Sequence, residues 1–312
     1  MAPSNSNIRR CLVTGATGNQ GSAVINALIS SNATIPIQIL ALTRNVDSPQ
    51  AKALAAKSDS VTVIKGDLSD CDAIFAQCGG PVQSVFSVQV NVFGSPQKNQ
   101  EEVLLAKSLI DVAISNKVEH FVQASGDRGG PERSEWDATG VPHFATKFQI
   151  EKYLQEKATA AEMTWTVLRP VTFMENYTPD FHGRGFAAMW HGLGNKPLQF
   201  VAAKDIGIFA ARAIQSPEDP RFRNKAVSIA GDELTQDEAC KVFQKVYGTK
   251  MPMIFPFVGN IVQWKIPEVK AMFEWFKEMG YSANIDECKK FNEGMLDFEA
   301  WLKQESGFKG WF

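Results

Sequence analysis

Along the first 170 residues, short apolar runs alternate with longer stretches whose apolar positions recur every three or four residues. The runs at Arg10–Thr14, Ile37–Thr43, Val61–Lys65, Ser84–Val88, His120–Ala124 and Thr164–Leu168 predict strands. Several are almost continuously apolar, as parallel strands covered on both faces must be. Between them, Val24, Ile25, Leu28 and Ile29 share one face of a helix, and Val103, Leu104, Leu109, Ile110 and Ala113 fall within a longer one. Strand and helix in alternation predict an α/β fold, a doubly wound parallel sheet with helices on both faces. After Pro170 the pattern changes, and Phe173, Tyr177, Phe181, Phe186 and Trp190 crowd in. A strand–helix piece, Gln199–Ile214, and a strand at Lys225–Ala230 then read as a return to the first domain. From Thr235 onward the chain reads mainly helical. The expected division is 1–170 as the first domain, with 198–232 returning to it. Segments 171–197 and 233–312 form a smaller, mostly helical C-terminal region for a substrate or a partner.

A chain of 312 residues exceeds one ordinary hydrophobic core, which agrees with that division. Charged residues make up 21% and the formal net charge is −2, so no global field favours nucleic acid or a membrane surface. The polar start, Met1 to Asn7, is not expected to be a secretory signal, and no apolar run reaches the roughly 18 residues of a spanning helix. The five cysteines, Cys11, Cys71, Cys78, Cys240 and Cys288, are odd in number and lack CxxC spacing. A reduced compartment is expected, the cytoplasm or, for a regulator, the nucleus, and no metal site. His182 and His191 are also too far apart in sequence for helical metal spacing.

The first strand runs straight into Gly15-Ala16-Thr17-Gly18-Asn19-Gln20-Gly21 and then into an apolar helix. Strand, glycine turn and helix in that order turn a glycine motif into a dinucleotide signal, even though the spacing is GxxGxxG. Glycine lets the backbone approach a pyrophosphate, and the following helix offers unpaired N–H groups at its positive end. This is the phosphate cradle of a Rossmann-type domain. Cofactor choice is made at the tip of the second strand. An NAD site usually places a carboxylate there, whereas Thr43-Arg44-Asn45 places a guanidinium, which suits the 2′-phosphate of NADP(H). After the third strand, Gly66-Asp67-Leu68 is suited to the adenine edge.

These residues resemble the NmrA-like branch of the atypical short-chain dehydrogenase/reductases. The carriers are Val13–Gly21, Leu42–Asn45, Gly66–Leu68, Val118–Val122 with Ser125, Val141–Lys147 continuing to Glu151, and Leu168-Arg169-Pro170 with Phe173-Met174-Glu175-Asn176. The resemblance implies that Gly15, Ala16, Thr17, Gly18, Asn19, Gln20 and Gly21 line the phosphates and that Arg44 takes the 2′-phosphate, with Asn45 beside it among the cofactor-binding residues. It implies Asp67 and Leu68 at the adenine, and Gln89, Val90 and Asn91 at the ribose side. Lys147 would reach the nicotinamide ribose. Phe173, Met174, Glu175 and Asn176 would close over the nicotinamide, and Pro170 is counted among the cofactor-binding residues. Relatives that sense NADPH carry lysines where this chain has Ser48 and Leu104, which implies weaker NADP(H) binding here.

Ordinary short-chain dehydrogenases pair a serine with a YxxxK motif, whose tyrosine protonates the substrate oxygen. The corresponding stretch here is His143-Phe144-Ala145-Thr146-Lys147, with the lysine kept and the tyrosine replaced by histidine. Ser125 follows the fifth strand, where the family serine lies. Lys147, His143 and Ser125 are therefore the candidate catalytic residues. Two functions follow. One is an NADPH-dependent reductase of a small conjugated or aromatic carbonyl, quinone or imine, with Phe173, Phe186, Trp190, Trp264, Trp275 and Phe276 as candidate pocket aromatics. The other is a non-enzymatic redox sensor and transcriptional regulator acting through a protein partner, as the missing tyrosine suggests. A monomer or homodimer is expected. The stretch Asp127–Arg133 reads as a flexible loop over the site rather than a second phosphate cradle.

Overall fold

The computed structural model describes residues 8–31, 35–89 and 94–311. The first half builds one motif repeatedly. β1 (Arg9–Val13), α1 (Asn19–Ser30), β2 (Ile37–Thr43), α2 (Pro49–Ala55), β3 (Val61–Lys65), α3 (Cys71–Ala76), β4 (Ser84–Ser87), α4 (Pro96–Ser115), β5 (His120–Ala124), α5 (Pro142–Ala160) and β6 (Thr164–Pro170) follow in turn. β7 (Thr172–Phe173), α6 (Phe181–His191), β8 (Leu198–Val201), α7 (Ala203–Gln215), β9 (Lys225–Ile229) and β10 (Asp232–Leu234) come next. The chain ends in α8 (Gln236–Tyr247), α9 (Pro256–Lys265), α10 (Pro267–Glu278), α11 (Ile285–Phe291) and α12 (Phe298–Gln304).

Seven strands form a parallel sheet in the order β3-β2-β1-β4-β5-β6-β9. The order reverses between β1 and β4, so a crevice opens there beyond the carboxyl ends of the strands, the usual ligand position of such sheets. One face of the sheet packs Val24, Ile25, Leu28, Ile206, Phe209 and Ala210 from α1 and α7. The other packs Val103, Leu109 and Ile110 of α4 with Ile150 and Leu154 of α5. α1 and α7 meet so closely that a Cβ at Gly207 would stand 2.5 Å from the Ala23 carbonyl oxygen.

In the segment 198–232, α7 covers the main sheet and β9 extends it beside β6. β8 instead lies between β7 and β10 in a separate three-stranded sheet. That small sheet and the last helices enclose a third core around Tyr177, Phe186, Trp190, Phe200, Phe273 and Trp301. Phe186, Trp190, Trp275 and Phe276 are thus spent on packing, whereas Trp264 stands exposed on α9. No helix among the described residues is long and apolar enough to cross a membrane.

Candidate functional site

The cradle is built where β1 ends. Thr14 Oγ1 accepts from Val88 N at 2.8 Å and lies 3.0 Å from Val88 O, tying the start of the loop to the residue after β4. Gly15 then turns with φ +56°, and a Cβ on it would meet Val88 Cγ1 at 2.6 Å. Gly18 N donates to Gly15 O at 2.9 Å and closes the turn. At Gly21 a Cβ would stand 2.2 Å from the Gly15 oxygen, so only glycine lets α1 start this close to the loop. α1 has neither a capping side chain at Gly18 nor an acid in its first turn. α2, α3, α4, α6 and α8 are capped by Ser48, Asp70, Ser95, Asp180 and Thr235, whereas α5, α7, α9 and α10 lack a side-chain cap as α1 does but do not follow the Gly15–Gly18 turn. The first N–H groups of α1 are therefore left for an anion. Gly15, Thr17, Gly18 and Asn19 are exposed, Ala16 is turned into the core, and Gln20 carries a buried Oε1 without a partner.

Arg44 and Asn45 are exposed beyond β2. Asn45 Oδ1 accepts from Asp47 N at 3.0 Å, which shapes the turn. Thr43 pairs with Lys65, so Arg44 and the Gly66–Leu68 stretch lie side by side. Asp67 is held below the usual carboxylate range by hydrogen bonds from Ser69, with a smaller contribution from the Arg44 charge. Leu68 is half-buried against the core. Gln89 is buried, donating to Ser87 Oγ at 2.6 Å and accepting from Gln123 at 3.0 Å. Val90 and Asn91 lie outside the described residues.

α5 presents its candidates on successive turns, each facing a carboxylate from elsewhere in the chain. His143 Nδ1 lies 3.0 Å from Glu268 Oε1 of α10. Lys147 Nζ lies 2.6 Å from Glu102 Oε1 of α4. Ser125 donates its hydroxyl to Glu151 Oε1. Burial pushes the Glu151 carboxyl up, but hydrogen bonds and charge from Arg128 and Arg169 outweigh it and leave the group below its ordinary range. Arg128 Nη2 and Arg169 Nη2 reach Glu151 Oε2 at 2.9 and 2.6 Å. The Asp127–Arg133 stretch is consequently not the free loop its glycines suggest. Arg128 is fully buried, and Asp127 accepts from the Gly129 and Gly130 backbone, both at 2.9 Å, and from Ser228 at 2.7 Å.

Pro170 is buried at the end of β6, and its carbonyl accepts from Asp127 N at 3.0 Å. Phe173 and Asn176 are half-buried. Met174 is fully buried in the C-terminal core. Glu175 Oε1 accepts from Ala203 N at 3.0 Å, satisfying the start of α7, and from Trp301 Nε1 at 3.2 Å. Burial pushes its carboxyl up. Sequence reasoning missed Glu102 and Glu268, whose partners are far away in the chain. A buried glutamate beside an apolar helix stripe was the sole signal for Glu102. Among the described residues no group of His, Cys, Asp and Glu has a metal-binding arrangement. A cavity of about 560 Å³ is lined by Arg9, Ile37 and Arg212 at the amino edge of the sheet, away from this chemistry.

The profile of the NmrA-like family matches residues 8–302. The chain belongs to the NmrA-like family. Its relatives include the NmrA-like family domain-containing oxidoreductase ptmS of Penicillium ochrochloron, 30% identical over 90% of this chain and 89% of that one. Among solved structures, triphenylmethane reductase of Citrobacter sp. complexed with NADP(H) superposes with TM-score 0.70 at 18% identity, over 95% of this chain and 99% of that one. NmrA, a negative transcriptional regulator, in complex with NAD superposes with TM-score 0.68 at 16% identity, over 95% of each chain.

Proposed function

We propose that this member of the NmrA-like family binds NADP(H) across the Gly15–Gly21 cradle and reduces a small conjugated or aromatic carbonyl, quinone or imine. The observation that carries the reading is the uncapped start of α1 at the β1–β4 crevice, on the same edge of the sheet as Lys147 and His143. The pyrophosphate rests on the N–H groups of that first turn. Arg44 takes the 2′-phosphate in charge-assisted hydrogen bonds, and Asp67 with Leu68 flanks the adenine. Lys147, held by Glu102, donates to the nicotinamide ribose, and the 173–176 main chain closes the nicotinamide side. NADPH supplies a hydride when bound.

A second reading is a cofactor-responsive regulator that acts through a protein partner. Two observations favour it: the Ser125 hydroxyl is engaged by Glu151, and histidine stands where a tyrosine would donate a proton. Two measurements test the proposal. Calorimetric titration should show that Arg44→Ala weakens NADPH about tenfold or more and leaves NADH little changed, since a charge-assisted contact is worth about 1.5–3 kcal/mol. Equal loss for both cofactors removes Arg44 from specificity. A panel of quinones, cyclic imines and aromatic ketones, followed at the nicotinamide absorbance, should include an acceptor that oxidises NADPH. Tight NADPH binding with no turnover across the panel favours the regulator.

A further inference from the structure

Two buried carboxylates border the candidate reaction site, and they set its charge. Glu102 faces Lys147 and Glu268 faces His143. Glu102 also accepts from Thr146 Oγ1 at 3.1 Å, and Glu268 Oε2 from Gly94 N at 2.8 Å. Glu102 is paired with Lys147, so Glu268 is the carboxylate that lines the neighbouring cleft. Burial raises the Glu268 carboxyl, but hydrogen bonds from His143, Gly94 and Asn99 more than offset it and keep the group ionised.

Beside these pairs a cleft of about 400 Å³ runs along the flanks of α4 and α5 and is closed by the first turn of α10. Asn99, Gln100, Thr146, Gln149 and Glu268 supply its polar lining, and no lysine or arginine lines it among the described residues. Asn99 is only 8% exposed, and its Oδ1 has no hydrogen-bond partner. A buried acceptor left unpaired beside a carboxylate calls for a positively polarised ligand. Helix starts oppose this with about half a positive charge each. Ser95 caps α4, and the full charge of Glu268 sits in the first turn of α10, which outweighs the partial charge at the uncapped start of α5 beside Pro142.

We propose that the cleft takes an organic cation, and that the hydride acceptor of this protein is an iminium-type C=N⁺ group seated with its charge toward Glu268 and Asn99. The inference rests on the reductase reading and narrows its substrate class. Reduction of a carbonyl builds negative charge on oxygen, which the Glu268 carboxylate lining the cleft opposes, and the Ser125 hydroxyl is already committed to Glu151. Reduction of an iminium removes charge instead. A C–H bond forms at the iminium carbon, the C=N π pair moves to nitrogen, and a neutral amine leaves with the cofactor oxidised by two electrons. No proton is taken up, so the missing tyrosine costs nothing.

The test separates binding from turnover. Wild-type protein is titrated by calorimetry with N,N-dimethyl-tetrahydroisoquinolinium, which cannot accept hydride, and with its neutral carbon isostere dimethyltetralin, each in the presence of NADP⁺. The cation should bind about tenfold or more tightly than the isostere, and Glu268→Gln should remove most of that ratio. Asn99→Leu, which leaves both carboxylates in place, should lower the ratio as well. Because the ratio is read, a general loss of binding in a variant does not imitate the result. In parallel, NADPH oxidation is followed with N-methyl-dihydroisoquinolinium and with tetralone, and the cation should react faster. Equal affinity for cation and isostere, or a ratio unchanged in both variants, overturns the inference even if tetralone is reduced and the reductase reading stands. A carboxylate-dependent preference without NADPH oxidation upholds the cation site and sinks the reductase reading.

Discussion

Nζ of Lys147 lies 2.6 Å from Oε1 of Glu102, in a pair whose side chains are 13% and 1% exposed. The lysine proposed to hold the nicotinamide ribose is thus also the cation that faces this buried carboxylate. Its two roles separate by experiment. Lys147→Met should cost about 3 kcal/mol or more, because it leaves Glu102 buried and unpaired. Adding Glu102→Gln in that background should restore much of the loss, while NADPH affinity stays low in both variants. Urea unfolding and NADPH titration read the two effects. Equal stability of single and double variants would falsify the pairing account.

The glycines of the cradle should differ in kind. A Cβ at Gly21 meets the Gly15 oxygen at 2.2 Å, whereas one at Gly18 meets it at 3.3 Å with the backbone in an ordinary extended conformation. Gly21→Ala should therefore destabilise the fold, by about 1–3 kcal/mol as overpacking does. Gly18→Val should keep its circular dichroism but lose NADPH, since its branch fills the pyrophosphate space. A Gly18→Val protein that is folded and binds NADPH normally removes the cradle from the cofactor site.

A third expectation concerns acid. His120 is buried between Thr164 and Thr166, at 2.8 and 3.2 Å. Burial, aided by the Arg9 charge, pushes its pKa down from 6.5 to about 3. The unfolded chain then binds the proton more readily between those values. The stabilisation from a neutral imidazole is complete above about 6.5 and is lost as pH falls through that window, by up to about 1.4 kcal/mol per pH unit. Urea midpoints at pH 7, 6 and 5 should fall more steeply for wild type than for His120→Gln. Parallel curves would show that His120 does not set the acid limb.

By itself the chain determined the sheet and its cradle. The runs Ile37–Thr43, Val61–Lys65 and His120–Ala124 are strands at those residues, because parallel strands buried on both faces need nearly continuous apolar sequence. The turn at Gly15 and the bare start of α1 were equally legible, since strand, glycine and helix are neighbours in sequence. Only the tertiary structure decided what the candidate side chains face. Glu102, Glu151 and Glu268 reach Lys147, Ser125 and His143 from distant stretches, and such pairings leave no local periodicity to read. Fold closure likewise turned Met174 and Glu175 inward and buried Arg128. A buried charge needs a partner, but which residue supplies it depends on which helices the sheet brings together.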